Sequence, residues 1–166
     1  MNVIGIDPGT ATTGYGIIEE DNFGNLIALD YGVVLTRADQ PLEKRLKIIF
    51  EDISKLILLH QPASAAVEKL FFKQNVTNAI SVGQARGVVL LAFANQNITV
   101  AEYSPSEVKS AVSGYGGAEK AQVQAMVKAI LNLDEIPKPD DAADALAIAV
   151  CHINSMGIHD RTCLEG

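Results

Sequence analysis

From Pro41 to His60, Leu42, Leu46, Ile49, Ile53, Leu56 and Ile57 fall on one stripe, the spacing of an amphipathic helix. Pro41 opens it, and Pro62 resets the chain to an extended course. Glu43–Lys47 and Glu51–Lys55 stand four residues apart outside the stripe, as ion pairs on its wet face would. This helix divides two kinds of sequence. Three extended stretches with short connections precede it, and alternating extended and helical stretches follow. Strands with short connections pair antiparallel, whereas strands joined across a helix run parallel by a crossover. The pattern predicts an α/β fold: a mixed five-stranded sheet, three antiparallel strands then two parallel ones, flanked by helices.

The first strand, with Val3, Ile4 and Ile6, is stopped at once by Pro8-Gly9. Asp7 therefore stands where an apolar strand runs out. It either starts an Asx-turn with Pro8-Gly9 or marks a strand end of the kind at which sheet proteins bind ligands and metals. Thr12 to Glu19 forms the second strand, Asp21 to Asn25 a dense turn signal, and Leu26 to Thr36 the third strand. Gly9, Gly14 and Gly16 have neither P-loop nor Rossmann spacing, so close backbone packing of the hairpin is favoured over a phosphate cradle. The fourth strand, Ala63 to Val67, ends on Glu68. If it neighbours the first, Asp7 and Glu68 leave the sheet side by side. Two crowded carboxylates repel unless one is protonated or a cation lies between them.

Phe71 and Phe72 lie in a loop between Lys69 and Lys73. They either anchor the loop in the core or stack on bases while the lysines hold phosphates. The helix from Val76 to Asn97 has two apolar stripes, one through Ile80, Gly83, Gly87 and Leu91, the other through Val82, Ala85, Val89 and Phe93. Such a helix is buried on two sides, one against the sheet and the other either within the same domain or, as favoured here, against a second subunit. Ile98-Thr99-Val100 is the fifth strand, and Ser104-Pro105 caps a short helix through Val112. Lys109 and Lys120 flank the turn Gly114 to Gly117, placed either in solvent or where a helix start favours an anion. A further helix spans Glu119 to Leu131.

The last helix opens at Asp140. Acids at a helix start are ordinary capping and dipole chemistry, which accounts for Asp140 and Asp141. Asp144 lies a full turn in, among alanines, on the same face as both. Two carboxylates from this face, joined to Asp7 and Glu68, give four oxygen donors suited to Mg²⁺ or Mn²⁺. The spacing leaves open whether Asp140 or Asp141 belongs to that set. Cys151 and Cys163 show no metal or redox spacing, and His152 reads as structural.

The length suits one domain, residues 1–157, followed by a flexible tail at 158–166. A net charge of −7 argues against a surface that coats nucleic acid indiscriminately. No apolar run is long enough for a membrane span and no leader pattern opens the chain, so a cytoplasmic location is expected.

In order, Gly5-Ile6-Asp7-Pro8-Gly9 with Gly14-Tyr15-Gly16, Val67-Glu68, Gly83-Gln84-Ala85-Arg86-Gly87, Lys120-Ala121-Gln122-Val123 and Asp141-Ala142-Ala143-Asp144-Ala145-Leu146-Ala147 resemble the motifs of the RuvC family, bacterial crossover junction endodeoxyribonucleases with a ribonuclease H-like fold. The resemblance spans roughly residues 1–155. It implies a homodimer that nicks two opposing strands of a four-way (Holliday) junction in recombination and repair, with RuvA and RuvB as partners. The implied cofactor is Mg²⁺, two ions per site, for which Mn²⁺ can substitute. By motif register the ligands are Asp7, Glu68, Asp141 and Asp144, and Asp140 falls to capping or solvent. Phe71 matches the family's base-contacting aromatic; Lys109 and Lys120 match its phosphate contacts. The chain's acidity departs from what a DNA-binding enzyme usually shows, so binding to non-specific duplex should be weak and salt-dependent. The rival expectations are a junction-binding module without catalysis and an actin-like phosphotransferase; the latter needs two related lobes, and no internal repeat supplies them.

Overall fold

The computed structural model describes residues 1–69 and 76–162, of which 76–78 and 158–162 are described by backbone alone. Strands β1 (Asn2–Asp7), β2 (Thr12–Glu20) and β3 (Leu26–Leu35) lead into helix α1 (Leu42–His60). Then follow β4 (Ser64–Glu68), α2 (Val76–Asn95), β5 (Val100–Tyr103), α3 (Pro105–Ser113), α4 (Lys120–Ile130) and α5 (Asp140–Thr162). The strands form one sheet in the order β3-β2-β1-β4-β5. The pairs β1–β2 and β2–β3 are antiparallel, and β1–β4 and β4–β5 are parallel. This is the expected mixed sheet, and β1 is its central strand.

A strand covered on both faces must be apolar on both, which is why β1 reads Val-Ile-Gly-Ile without polar alternation. Ile4 and Ile6 pack with Ile17 and Val67 against Ile49, Ile53 and Ile57 of α1 and Ala85, Val89 and Phe93 of α2. Val3, Ile18 and Ala66 point the other way, toward Val112, Val127, Leu146 and Val150 of α3, α4 and α5. The result is three layers, helices over each face of the sheet.

How α5 reaches the sheet decides where its acids lie. Gly5 of β1 and Gly14 and Gly16 of β2 form a channel into which the alanine-rich face of α5 sinks. A Cβ on Gly5 would meet the Ala145 carbonyl oxygen and come within 2.6 Å of the Ala149 nitrogen. One on Gly14 would overlap the Asp141 carbonyl, and one on Gly16 would stand 2.8 Å from the Leu146 nitrogen. Gly14 and Gly16 do serve close backbone packing, but their partner is the last helix; Gly9 packs within the hairpin, where a Cβ would meet the Thr12 carbonyl oxygen.

Some expectations shift. The fifth strand starts and ends later than Ile98–Val100, because Asn97 takes a positive φ of 56° and the Ile98 N–H donates back to the Phe93 carbonyl (3.0 Å), closing α2. On α1 the ion pairs are Lys47–Glu51 and Lys55–Asp52 (3.5 and 2.7 Å), not Glu43–Lys47 and Glu51–Lys55. These partners lie on an exposed face, where exchange between them is worth little. Helix α5 continues to Thr162, into the stretch expected to be a tail; residues 163–166 lie outside the described ones. No helix among the described residues is long and apolar enough to cross a membrane.

Two local devices hold the site's supports. A capping box starts α3: the Glu107 N–H donates to Ser104 Oγ (3.3 Å), and the Ser104 N–H donates to Glu107 Oε2 (2.7 Å). Under α5, buried His152 sits between Ser64 Oγ (2.8 Å from Nε2) and Tyr103 Oη (2.9 Å from Nδ1). Both ring nitrogens are engaged, so His152 is structural, as its lack of metal-spaced partners implied.

Candidate active site

The parallel register aligns Ile6 with Val67, so the next residues, Asp7 and Glu68, end their strands beside each other. On the other flank Asp7 pairs with Gly14, the glycine on which the Asp141 carbonyl rests. One helical turn later Asp144 points into the same cleft. Thus β1, β4 and the first turns of α5 bring together acids separated by more than half the chain. The cleft, about 230 Å³, is lined by Asp7, Glu68, Asp144, Lys109 and Lys120, with apolar walls from Val108, Val123, Ala147 and Ile148.

Asp141 lies at its margin rather than in its lining, yet its charge acts on Asp7. The turn after Asp7 is held by Thr13, whose Oγ1 donates to the Gly9 carbonyl (2.7 Å), so the Asx-turn alternative for Asp7 is not what closes it. Lys109 reaches the cleft from α3 and Lys120 from the start of α4. Phe71 lies outside the described residues. Spacing leaves open whether Asp140 joins the ligand set, and the family resemblance gives it to capping or solvent; it is indeed exposed, and the Lys120 ammonium lies 2.9 Å from Asp144 Oδ2 and 3.3 Å from Asp140 Oδ2. The signal for this was present in the sequence: the two aspartates are four apart, on one helix face.

Electrostatically the cleft is uncomfortable. Burial, with Asp144, Glu68 and Asp141 adding repulsion in that order, pushes the Asp7 carboxyl up to about 7; Lys120 pulls the other way. Burial and then Asp144 raise Glu68 as well, against Lys109 and Lys120. The hydrogen bond to Asp144 raises Lys120. Three carboxylates lining a cleft with two ammonium groups, with Asp141 at its margin, are a donor set for a hard divalent cation, and they fit Mg²⁺ or Mn²⁺ by charge and by oxygen chemistry. Among the described residues no three His, Cys, Asp or Glu side chains already close on one point.

A consequence for stability follows with a definite sign. An unfolded aspartate titrates near 3.8 and the folded Asp7 near 7, so between those values the folded protein holds a proton that the unfolded chain has released. Stability from this group is full at the acid end and is lost as pH rises toward 7. In thermal melts with EDTA, the wild-type melting temperature relative to that of Asp7→Asn should fall across this range. Parallel profiles would show that Asp7 is not the strained group.

The chain is similar to known proteins along nearly its whole length. Residues 3–152 match the family model described as crossover junction endodeoxyribonuclease RuvC. The chain is 53% identical over 161 residues to a crossover junction endodeoxyribonuclease RuvC of Desulfitobacterium hafniense, covering 97% of each. It is 55% identical over 156 residues to that of Heliobacterium modesticaldum, covering 94% of this chain and 96% of the other. The solved structure of T. thermophilus RuvC in complex with Holliday junction substrate superposes with a TM-score of 0.87 at 34% identity, over 95% of this chain and 96% of that one.

Proposed function

The chain belongs to the RuvC family of crossover junction endodeoxyribonucleases, and on that premise we propose that it resolves four-way (Holliday) DNA junctions by metal-dependent nicking of two opposing strands, in recombination and repair. Its fold is ribonuclease H-like. The observation that carries the proposal is the cleft itself: Asp7, Glu68 and Asp144 converge with Lys109 and Lys120 at one end of the sheet.

Asp7, Glu68, Asp141 and Asp144 would hold the metal, Mg²⁺ with Mn²⁺ as substitute; four carboxylates are enough for two ions. Bound there, Mg²⁺ supplies the positive charge that favours deprotonation of an attacking water and stabilises the leaving oxygen of the phosphodiester. The protein's own groups do the rest. Lys109 and Lys120, which both line the cleft, contact phosphate oxygens of the bound strand. Val108, Val123, Ala147 and Ile148 exclude water, which strengthens every charge interaction in the cleft. Without metal, burial and the neighbouring acids push the Asp7 carboxyl up to about 7. No serine or histidine lines the cleft among the described residues, which accords with attack by water.

The protein acts as a homodimer in this proposal. Helix α2 buries Ala85, Val89 and Phe93 against the sheet but leaves Ile80 57% and Leu91 54% exposed, with open space beside Gly87. That free face is the surface for a second copy, and pairing the two clefts gives two symmetric incisions. The nuclease domain is residues 1–157, its location is cytoplasmic, RuvA and RuvB are its partners, and Phe71 is its base-contacting aromatic.

The test is incision of a labelled synthetic four-way junction beside its linear duplex arms, with Mg²⁺ and with EDTA. Paired, Mg²⁺-dependent nicks on the junction alone are expected. Equal cutting of linear duplex would reduce the protein to a general nuclease, and tight junction binding without incision would make it a binding module.

A further inference from the structure

Lys120 has two acids within reach, and their surroundings differ. Asp144 lines the cleft with Asp7 and Glu68 and its side chain is 35% exposed; Asp140 lies outside the lining and is 66% exposed. Being four apart on α5, they stand one above the other on the same face. The Lys120 ammonium bridges them, at 2.9 Å from the inner carboxylate and 3.3 Å from the outer. It therefore sits at the boundary of the cleft, neutralising a carboxylate that a divalent cation also requires. The acids do not already close on one point among the described residues, so metal uptake has to rearrange this corner.

We infer that Lys120 is a resident counter-ion that competes with the metal for Asp144, and that Asp140 is the acceptor onto which its ammonium withdraws when the metal enters. The inference rests on the proposal that the four acids are metal ligands. An ammonium kept on Asp144 would repel an arriving divalent cation. Released into water, it would lose a charge-assisted hydrogen bond. Moved wholly onto Asp140, it keeps such a bond while leaving Asp144 free. Asp140 is thus a positioning residue, acting on the metal only through Lys120. The same swing places the ammonium at the cleft's rim, toward the side from which a phosphate enters.

A simple field effect predicts something different. If Asp140 were only a distant negative charge, its removal would weaken cation binding equally whether or not Lys120 is present. A double-mutant cycle separates the two. Mn²⁺ alone, without DNA, is titrated calorimetrically into wild type, Lys120→Met, Asp140→Asn and the double variant. Lys120→Met should bind Mn²⁺ about tenfold more tightly, the scale of a half-exposed charge pair at this separation. Asp140→Asn should bind about threefold more weakly in the wild-type background and show no further effect in the Lys120→Met background. Equal weakening in both backgrounds would overturn the role of Asp140, and unchanged or weaker binding by Lys120→Met would overturn the competition. Lys120→Arg, which keeps the charge, should stay close to wild type; tighter binding by it would also count against competition by charge. If Asp7→Asn binds Mn²⁺ as wild type does, the four-acid metal site falls, and the inference with it.

Discussion

Replacing Asp7 by asparagine should lower the single-turnover rate of junction incision at least about a hundredfold, since even losing a group that merely orients a metal ligand costs about 10–100-fold. The change keeps the side chain's shape and removes one negative charge from a cleft that holds too many. Folding should survive it, because burial and three neighbouring acids strain the charged form of Asp7. Junction affinity measured in EDTA should be unchanged or higher, since one less carboxylate faces phosphate. Rate and affinity thus move apart, which unfolding could not produce. Incision within a few-fold of wild type would remove Asp7 from the metal site.

Gly5→Ala should be severely damaging. Its Cβ would be driven into the Ala145 carbonyl and the Ala149 nitrogen, backbone atoms of a helix that cannot rotate aside. Overpacking a core costs about 1–3 kcal/mol when side chains can adjust, so about 3 kcal/mol or more is expected here. The same push displaces α5 from β1 and carries Asp141 and Asp144 away from Asp7, so incision should be lost even where the protein remains folded. Gly157→Ala is the control. It lies in the same helix with nothing within 4 Å of the new methyl, and should raise stability by up to about 1 kcal/mol. Urea unfolding of the three proteins, read beside incision, checks both. A Gly5→Ala protein as stable as wild type would mean that the helix does not seat against β1.

Much of this was legible from one-dimensional patterns because the decisive constraints were topological. A helix between Leu35 and Ser64 made β4 parallel to its neighbour, and parallel strands deliver their ends to the same edge; Asp7 and Glu68 followed from that. Helical periodicity likewise put Asp144 on one face with Asp140 and Asp141. What periodicity cannot show is a contact between elements far apart in the chain. Gly14 and Gly16 looked like positions of close packing within the hairpin, since nothing near residue 16 announces that Leu146 will lie over it. Asp140 looked like a helix-start acid, because its second role depends on where α4 places Lys120. The choice of Asp141 for the ligand set came from family resemblance, not from spacing. The late start of β5 was hidden for a local reason: Ile98 and Thr99 have strand character, but the left-handed turn at Asn97 holds the first of them back.

The glycine channel also sets a timetable for synthesis. Asp7 and Glu68 leave the ribosome long before Asp144, and the sheet ends that carry them have no helix to fill the channel until α5 has been made. A growing chain accordingly displays Asp7 and Glu68 without the acids of α5 that would complete the proposed metal site. Chains truncated before α5 are silent for the same reason. Helix α5 is the element that completes the proposed metal site.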